Sequence, residues 1–237
     1  MSPFGLPRLH LRSVASTNTR AAELAMGGAP HGTLVTTEEQ TAGRGRQGRT
    51  WTMPRGEAIA ASWVLRSPPP LLPHVAAVAV AEVADAHDAS GREVAIKWPN
   101  DVLVGGLKVA GILGEGRPQE NWAVLGIGLN VAIAQDAFPE ELRARATSLG
   151  LTTGDVERVL AALTSSLDRW LAASEADLLA VYRERDALIG RAISWAGGTG
   201  TASGIADDGR LRVRAPAGTI THLEAGEVHI GELPPTT

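Results

Sequence analysis

Three glycines and three arginines stand within the seven residues from Gly43 to Arg49, inside the stretch QTAGRGRQGRTW at 40–51. Glycine lets the backbone approach a ligand closely, and the planar guanidinium of arginine matches the paired oxygens of phosphate or carboxylate. Strand-like patterns at 33–38 and 58–65 flank the stretch. We therefore predict an anion-binding loop that connects two strands, and we expect this loop to be mobile without ligand because its like charges repel.

Taken alone, such a loop could also be a solvated basic segment or an arginine-glycine contact with nucleic acid. The chain has 22 basic and 26 acidic residues and a net charge of −4, so its positive charge is local. This balance favours a small anionic ligand and argues against binding to DNA.

Cysteine is absent from the 237 residues, which excludes disulfides and thiolate metal sites. The sequence has no apolar run of membrane-spanning length and no signal-peptide pattern. We therefore expect a cytoplasmic protein that does not enter a membrane.

A second dense segment, KWPNDV at 97–102, precedes a tight hairpin predicted at Gly105-Gly106. Lys108 then lies at the start of the returning strand. Lys108 and Gly111 have opposite parity, so a regular strand would direct them to opposite faces. A β-bulge or a backbone contact is required if both touch one ligand.

The strand predicted at 122–132 carries Gly126, Gly128 and Asn130 at a spacing of two residues, which leaves one face with little side-chain bulk. A ligand could lie flat on that face, or the glycines could simply ease sheet curvature. Beyond it, the periodicity predicts helices at about 139–146, 155–173 and 175–188, after an earlier helix at about 73–90. Short alternating runs after residue 190 predict a small β-barrel.

The candidate site is rich in cations and lacks a Ser-His-Asp pattern or a nucleophilic cysteine. The six histidines have no metal-ligand spacing. Such sites suit phosphoryl or nucleotidyl transfer, where charge on phosphate oxygens must be stabilised. Neither a Walker A motif nor a dinucleotide-binding fingerprint is present.

Five segments in this order resemble the catalytic domain of bacterial biotin protein ligases: SVASTN at 13–18, EEQTAGRGRQGRTW at 38–51, KWPNDV at 97–102, KVAGIL at 108–113 and GIGLNV at 126–131. The resemblance implies an α+β fold of the class II synthetase-like biotin/lipoate ligase type, in which helices flank a mixed β-sheet. It also implies two domains, a catalytic domain at 1–189 and a small SH3-like β-barrel at 190–237.

The activity that the resemblance implies has two steps. Biotin and ATP, with Mg²⁺, give biotinyl-5′-AMP and pyrophosphate, and the biotinyl group then passes to a lysine of a biotin carboxyl carrier protein. The family also makes a homodimer possible. Some relatives carry an N-terminal DNA-binding domain and repress transcription; only about eight residues precede the first predicted strand, so no repressor role is expected.

The resemblance also implies roles for individual residues. The catalytic residues would be Lys108, Arg46 and Arg44. The biotin-binding residues would be Ser16, Thr17, Asn18, Gln40, Gly43, Arg44, Gly45, Arg46, Lys108, Gly111, Gly126 and Gly128. The ATP-binding residues would be Arg46, Arg49, Trp51, Lys97, Asn100, Asp101, Lys108 and Asn130, with Asp101 as the Mg²⁺ ligand.

One departure from the family pattern concerns the cover of the biotin ring. In many relatives an aromatic residue covers this ring, and at the corresponding position this chain has Ala60. Trp63 lies three residues further on and has the opposite parity, so it is no obvious substitute for that aromatic residue. A lipoate or octanoate transferase of the same broad fold is the alternative enzyme, although KWPND and GRGRQGR speak against it.

Overall fold

The computed structural model describes residues 3–224, 226 and 228–231, without the side chain of Pro118. Seven strands form a sheet in the order β1-β2-β3-β7-β6-β5-β4. Strands β1 and β2 are parallel, and the other neighbours are antiparallel. The strands are β1 (Arg8–Leu11), β2 (Leu34–Thr37), β3 (Ala58–Arg66), β4 (Val94–Lys97), β5 (Asp101–Val104), β6 (Leu107–Arg117) and β7 (Trp122–Asn130).

Helices cover both faces of this sheet, which confirms the predicted fold class. One face packs on α2 (Leu72–His87), backed by α3 (Val156–Leu171) and α4 (Glu175–Glu184). The other face packs on α1 (Thr17–Met26), which contacts β2, β3 and β7.

Strand β7 shows how side-chain alternation divides the two faces. Leu125, Ile127 and Leu129 belong to the large core on the α2 side, whereas Trp122 and Val124 belong to the smaller core on the α1 side. Because successive side chains of a strand alternate between faces, Gly126 and Gly128 fall on the α1 side. The glycine face is therefore directed away from the main core.

One predicted helix is shorter in the structure and another does not form, and in both cases part of the segment pairs with a strand. The helix predicted to reach residue 188 ends at Glu184, and the chain then bonds to the edge of β4, from Ile96 N to Arg185 O at 2.6 Å and from Ala187 N to Ile96 O at 2.9 Å. The helix predicted at 139–146 is wrong: that segment contains one 3₁₀ turn, Glu140–Leu142. The 145–147 stretch pairs with the backbone of Lys108 instead.

A second sheet follows α4. It is antiparallel, has the order β11-β10-β9-β8-β12, and comprises β8 (Ala192–Trp195), β9 (Gly198–Ile205), β10 (Leu211–Arg214), β11 (Ile220–Leu223) and β12 (His229–Ile230). The predicted boundary at residue 190 lies between α4 and β8 and stays a prediction. Within the two predicted domains, residues 1–2, 225, 227 and 232–237 lie outside the described residues.

The small sheet docks on the large one through the turn between β9 and β10. The carbonyl oxygen of Gly209 lies 2.9 Å from Nε2 of His74 on α2 and accepts a hydrogen bond from the Trp98 indole at 3.2 Å. A Cβ atom at position 209 would meet His74 and Leu71 at 2.7 Å. This close approach requires glycine. Across the described part of the chain, no helix combines the length and apolar character that spanning a bilayer demands.

Candidate active site

A cavity that opens to solvent lies on the α1 side of the large sheet, beneath the predicted loop. Sixteen of the predicted site residues line it: Ser16, Thr17, Asn18, Gln40, Arg44, Gly45, Arg46, Arg49, Trp51, Lys97, Asn100, Asp101, Lys108, Gly111, Gly126 and Gly128. The structure therefore brings together segments that lie far apart in the sequence.

A β-bulge at Val109 directs Lys108 into the cavity. Val102 pairs with Ala110, whereas the next residue, Leu103, pairs with Lys108, so Val109 is the extra residue. A Cβ atom on Gly111 would lie 3.3 Å from Lys108 Nζ. The bulge thus places Lys108 and Gly111 on one face, which resolves their opposite parity.

Cationic side chains gather where β4, β5 and β6 meet the loop. Lys108 Nζ forms an ion pair with Asp101 Oδ1 at 2.6 Å, and Arg46 donates to Asn100 Oδ1 at 3.2 Å. Burial lowers the pKa of the Lys97 ammonium, an effect that the nearby Asp101 carboxylate opposes. Burial likewise lowers the pKa of Arg46. Several partly desolvated cations thus face one carboxylate, an arrangement that favours an anionic ligand.

Neutral hydrogen-bonding groups line the opposite end of the cavity. Gln40 Oε1 accepts from the Thr17 backbone N–H at 2.9 Å and lies 3.2 Å from its hydroxyl. Ser62 Oγ lies 2.8 Å from Thr17 Oγ1 and 2.6 Å from Asn18 Oδ1. Ser16 is the N-cap of α1 but makes no side-chain capping bond. This end can recognise an uncharged polar group by hydrogen bonds.

The two glycines of β7 lie directly beneath side chains of the site. A Cβ atom on Gly128 would meet the Trp51 indole at 2.3 Å, and one on Gly126 would meet Asn18 Oδ1 at 2.0 Å. Any side chain at these positions would displace its neighbour. The flat face expected from the sequence exists, and it is partly covered by Trp51 and Asn18.

Trp51 presents an aromatic face and an unused donor to the cavity. Its Nε1 atom is buried and has no hydrogen-bond partner among residues 3–224, 226 and 228–231. Lys108 Nζ lies 6.0 Å from the ring centroid. Ala60 also lines the cavity and pairs with Gly128 across the ladder, whereas Trp63 is fully buried in the core on the α2 side. The aromatic ring next to Ala60 therefore comes from the loop.

Two predicted site residues do not line the cavity. A Cβ atom on Gly43 would lie 2.2 Å from the Trp51 carbonyl oxygen, so this glycine permits the loop to close on itself. Asn130 is buried, and its amide donates to Thr147 O at 2.9 Å. In this structure both residues support the site through backbone carbonyl groups: Gly43 lies against that of Trp51, and Asn130 bonds to that of Thr147.

The two arginines that the sequence analysis grouped as catalytic lie toward opposite ends of the cavity. Arg44 pairs with Glu115 at 2.5 Å, while Arg46 contacts Asn100. Arg46 is the first residue of a 3₁₀ turn, Arg46–Gly48, in which Gln47 has a φ of 56°. Loop side-chain directions of this kind are not encoded in residue spacing.

Sequence reasoning missed several residues of the site. Alternation from Ala60 could have indicated Ser62, and alternation from Gly111 could have indicated Glu115, because each pair shares a face of its strand. Gly226 and Val228, which lie between β11 and β12, line the cavity itself. No signal in the sequence pointed to them, because they reach the cavity only through the packing of the two sheets.

The described residues contain no cluster of three or more His, Cys, Asp or Glu side chains arranged to hold a metal ion. Asp101 is the carboxylate that faces the cationic end of the cavity. Mg²⁺ is commonly held by one or two carboxylates together with substrate phosphates. A single carboxylate therefore fits a metal that arrives with a nucleotide.

Comparisons with known proteins agree with this architecture. Residues 11–131 match the model of the Biotin/lipoate A/B protein ligase family, and residues 196–231 match the Biotin protein ligase C terminal domain. A biotin protein ligase from Aquifex aeolicus, solved in complex with biotin and ATP, superposes with a TM-score of 0.80 at 28% identity, covering 95% of this chain and 99% of that one.

Sequence relatives differ in how much of their length is matched. A biotin–[acetyl-CoA-carboxylase] ligase from Paracoccus denitrificans is 38% identical over 236 residues, which cover 91% of this chain and 97% of that protein. The bifunctional ligase/repressor BirA of Bacillus spizizenii is 44% identical over 150 residues, and the match spans 60% of this chain but only 46% of that protein. The resemblance read from the five sequence motifs is confirmed, and the chain belongs to the biotin/lipoate A/B protein ligase family.

Proposed function

We propose that the chain is a biotin protein ligase, which activates biotin with ATP and transfers it to a lysine of a biotin carboxyl carrier protein. The observation that supports this most directly is the single cavity in which a neutral hydrogen-bonding end adjoins a cationic end. Biotin has the matching shape, because an uncharged ureido ring is joined by an apolar chain to a carboxylate. The Paracoccus and Aquifex relatives carry the corresponding names.

In the first step, a biotin carboxylate oxygen attacks the α-phosphorus of ATP and pyrophosphate leaves. Both reactants are anionic, so the cations that face the cavity must screen them and the charge that develops during attack. Lys108 projects from the β-bulge into the cationic end of the cavity, which Arg46, Arg49 and Lys97 also line. Asp101 would hold Mg²⁺ together with the nucleotide phosphates, and the ion would neutralise part of their charge.

Trp51 is assigned to the nucleotide, with its ring against the base and its free indole N–H available to an acceptor. Thr17, Asn18 and Gln40 are assigned to the ureido ring, whose carbonyl and N–H groups require both donors and acceptors. Gly126 lies beneath the Asn18 amide and Gly128 beneath the Trp51 indole.

In the second step, the neutral amine of the carrier lysine attacks the acyl carbon of biotinyl-5′-AMP. An amide bond forms, AMP leaves with the electron pair of the broken C–O bond, and the amine loses its proton. We place this reaction in the cytoplasm, where ATP is supplied. We retain the division into a ligase domain at 1–189 and a barrel at 190–237, and a homodimer, as parts of the proposal.

Intact-mass measurement tests the function. The chain is incubated with biotin, MgATP and a carrier domain, and the carrier should gain the mass of one biotinyl group. Reactions without ATP, or with a carrier whose target lysine is replaced by arginine, are the controls and should show no gain. Transfer of lipoate with equal efficiency would favour the lipoate ligase alternative, and no transfer of either acid would refute the proposal.

A further inference from the structure

Glu115, near the end of β6, connects the arginine loop to the neutral end of the cavity. Its Oε1 atom pairs with Arg44 at 2.5 Å, and its Oε2 atom accepts from the Asn18 amide at 2.9 Å. Glu115 itself does not line the cavity, so it acts on the site through these two neighbours.

Among the described residues, Arg44 and Asn18 make few side-chain contacts other than those with Glu115. Beyond the pair with Glu115, the Arg44 guanidinium has a long contact of 3.4 Å to the Thr19 hydroxyl. The Asn18 amide also donates to Leu113 O at 3.2 Å, while its oxygen lies 2.6 Å from Ser62 Oγ. One carboxylate thus fixes both the loop and the amide that lies over Gly126.

This pair also separates the charges of the cavity into two zones. Glu115 follows Gly111 by four residues along β6, a distance of about 13 Å at roughly 3.3 Å per residue. The Arg44 charge is therefore drawn away from Lys108 and cancelled by the Glu115 carboxylate. Around it stand uncharged groups, from Thr17, Asn18, Gln40 and Ser62.

A neutral zone of this kind has a physical advantage for an uncharged ring. An unpaired guanidinium there would attract the carboxylate or phosphate of a substrate and compete with the correct orientation. With Arg44 neutralised, the remaining cations draw the anionic groups to the other end. The pair thereby selects one direction of binding.

We propose that Glu115 is a positioning residue for biotin: it holds Arg44 and Asn18 in place and keeps the ring end of the cavity electrically neutral. The inference rests on the proposed function. It assigns no contact between Glu115 and the substrate.

The test compares Glu115→Ala and Glu115→Gln with the wild type in biotin-dependent pyrophosphate release, with KM measured separately for biotin and ATP. Loss of a partly exposed, charge-assisted hydrogen bond should raise KM for biotin about five- to tenfold in Glu115→Ala. KM for ATP should change less than about twofold. Glu115→Gln should recover part of the loss, because an amide oxygen can still accept from Asn18.

Glu120→Gln is the matched control, because Glu120 also pairs with an arginine, Arg117, at 2.9 Å and also accepts from a neutral side chain, Trp122. It lies away from the cavity and should change neither KM. The Arg44→Ala variant completes a double-mutant cycle. If Glu115 acts through Arg44, the Glu115→Ala substitution should raise KM for biotin clearly less in the Arg44→Ala background than in the wild-type background.

Tryptic cleavage between Arg44 and Arg49, measured without ligands, gives a readout that does not depend on activity. Cleavage should be faster in Glu115→Ala than in the wild type, with unchanged cleavage in Glu120→Gln. Equal increases in KM for both substrates, full additivity with Arg44→Ala, or unchanged KM and cleavage would each overturn the inference. An inactive wild type would instead refute the proposed function, and the cleavage rates would still test whether Glu115 holds the arginine loop in place.

Discussion

The two ends of the cavity are suited to recognise different parts of a ligand, and they do so by different physical interactions. At the cationic end, Lys108 and Asp101 pair at 2.6 Å among partly buried cations whose pKa values are lowered by burial. At the neutral end, Thr17, Ser62 and Asn18 form a chain of short hydrogen bonds with no net charge. The difference teaches that one cavity can orient a substrate with a polar head and an anionic tail by separating charge from hydrogen bonding.

The largest effect is expected from Lys108→Ala at the cationic end. Removing a cation that stabilises developing charge should slow biotin-dependent pyrophosphate release by about a hundred- to thousandfold. Binding of biotin, measured by calorimetry without ATP, should change far less. A normal rate of pyrophosphate release would contradict the role of Lys108.

Arg158→Ala is a suitable control for this substitution, because Arg158 also pairs with an aspartate, Asp155, at 2.7 Å but lies on the surface. Its rate should equal that of the wild type. Arg158→Ala should also keep the wild-type melting temperature, since exposed ion pairs contribute little to stability.

A smaller effect is expected from placing a methyl group on the cavity floor. Gly128→Ala would push the Trp51 indole aside and should raise KM for ATP about tenfold, whereas Gly126→Ala would push Asn18 aside and should raise KM for biotin about tenfold. Steady-state kinetics with each substrate varied in turn distinguishes the two.

Gly114→Ala supplies the matched control on β6, where an added Cβ atom would meet nothing within 4 Å. It should leave both KM values unchanged. If Gly126→Ala and Gly128→Ala raised the same KM, the division of the cavity into two ends would be wrong.

The smallest effect concerns His74, which supports the cationic end through Gly209 and Trp98. Burial lowers the pKa of His74, and its hydrogen bond with Gly209 opposes this. A lowered folded-state pKa means that the unfolded chain binds more protons, so the stabilisation is complete above about pH 6.5 and is lost as the pH falls below it.

Urea unfolding between pH 7.5 and 5 measures this dependence. The free energy of unfolding should fall more steeply in the wild type than in His74→Gln, which keeps an N–H donor but does not titrate. Equal slopes in the two proteins would show that His74 does not carry the effect.

Much of this site could be predicted because its chemistry is concentrated in short segments. The glycine-arginine loop, the turn at 97–101 and the glycines of β7 each carry a local signal. The parity of Lys108 and Gly111 left a β-bulge or a backbone contact as the alternatives, and the structure shows the bulge. The fold class followed from the resemblance of the five ordered motifs to biotin protein ligases, and the apolar periodicity supplied individual strands and helices.

What could not be predicted depends on contacts between distant segments. The opposite directions of Arg44 and Arg46 depend on the 3₁₀ turn that begins at Arg46 and on partners from β6 and the 97–101 turn. The contribution of Gly226 and Val228 depends on how two sheets pack. Residue spacing within one segment contains no information about either.

The side chains that rest on Gly126 and Gly128 have a consequence for inhibitor design. A compound that leaves the Trp51 indole over Gly128 gains an aromatic stacking partner, whereas a compound that lifts the indole gains the bare backbone surface beneath it. The same floor therefore offers two distinct binding modes. A search for inhibitors against the cavity with Trp51 held fixed would find only the first.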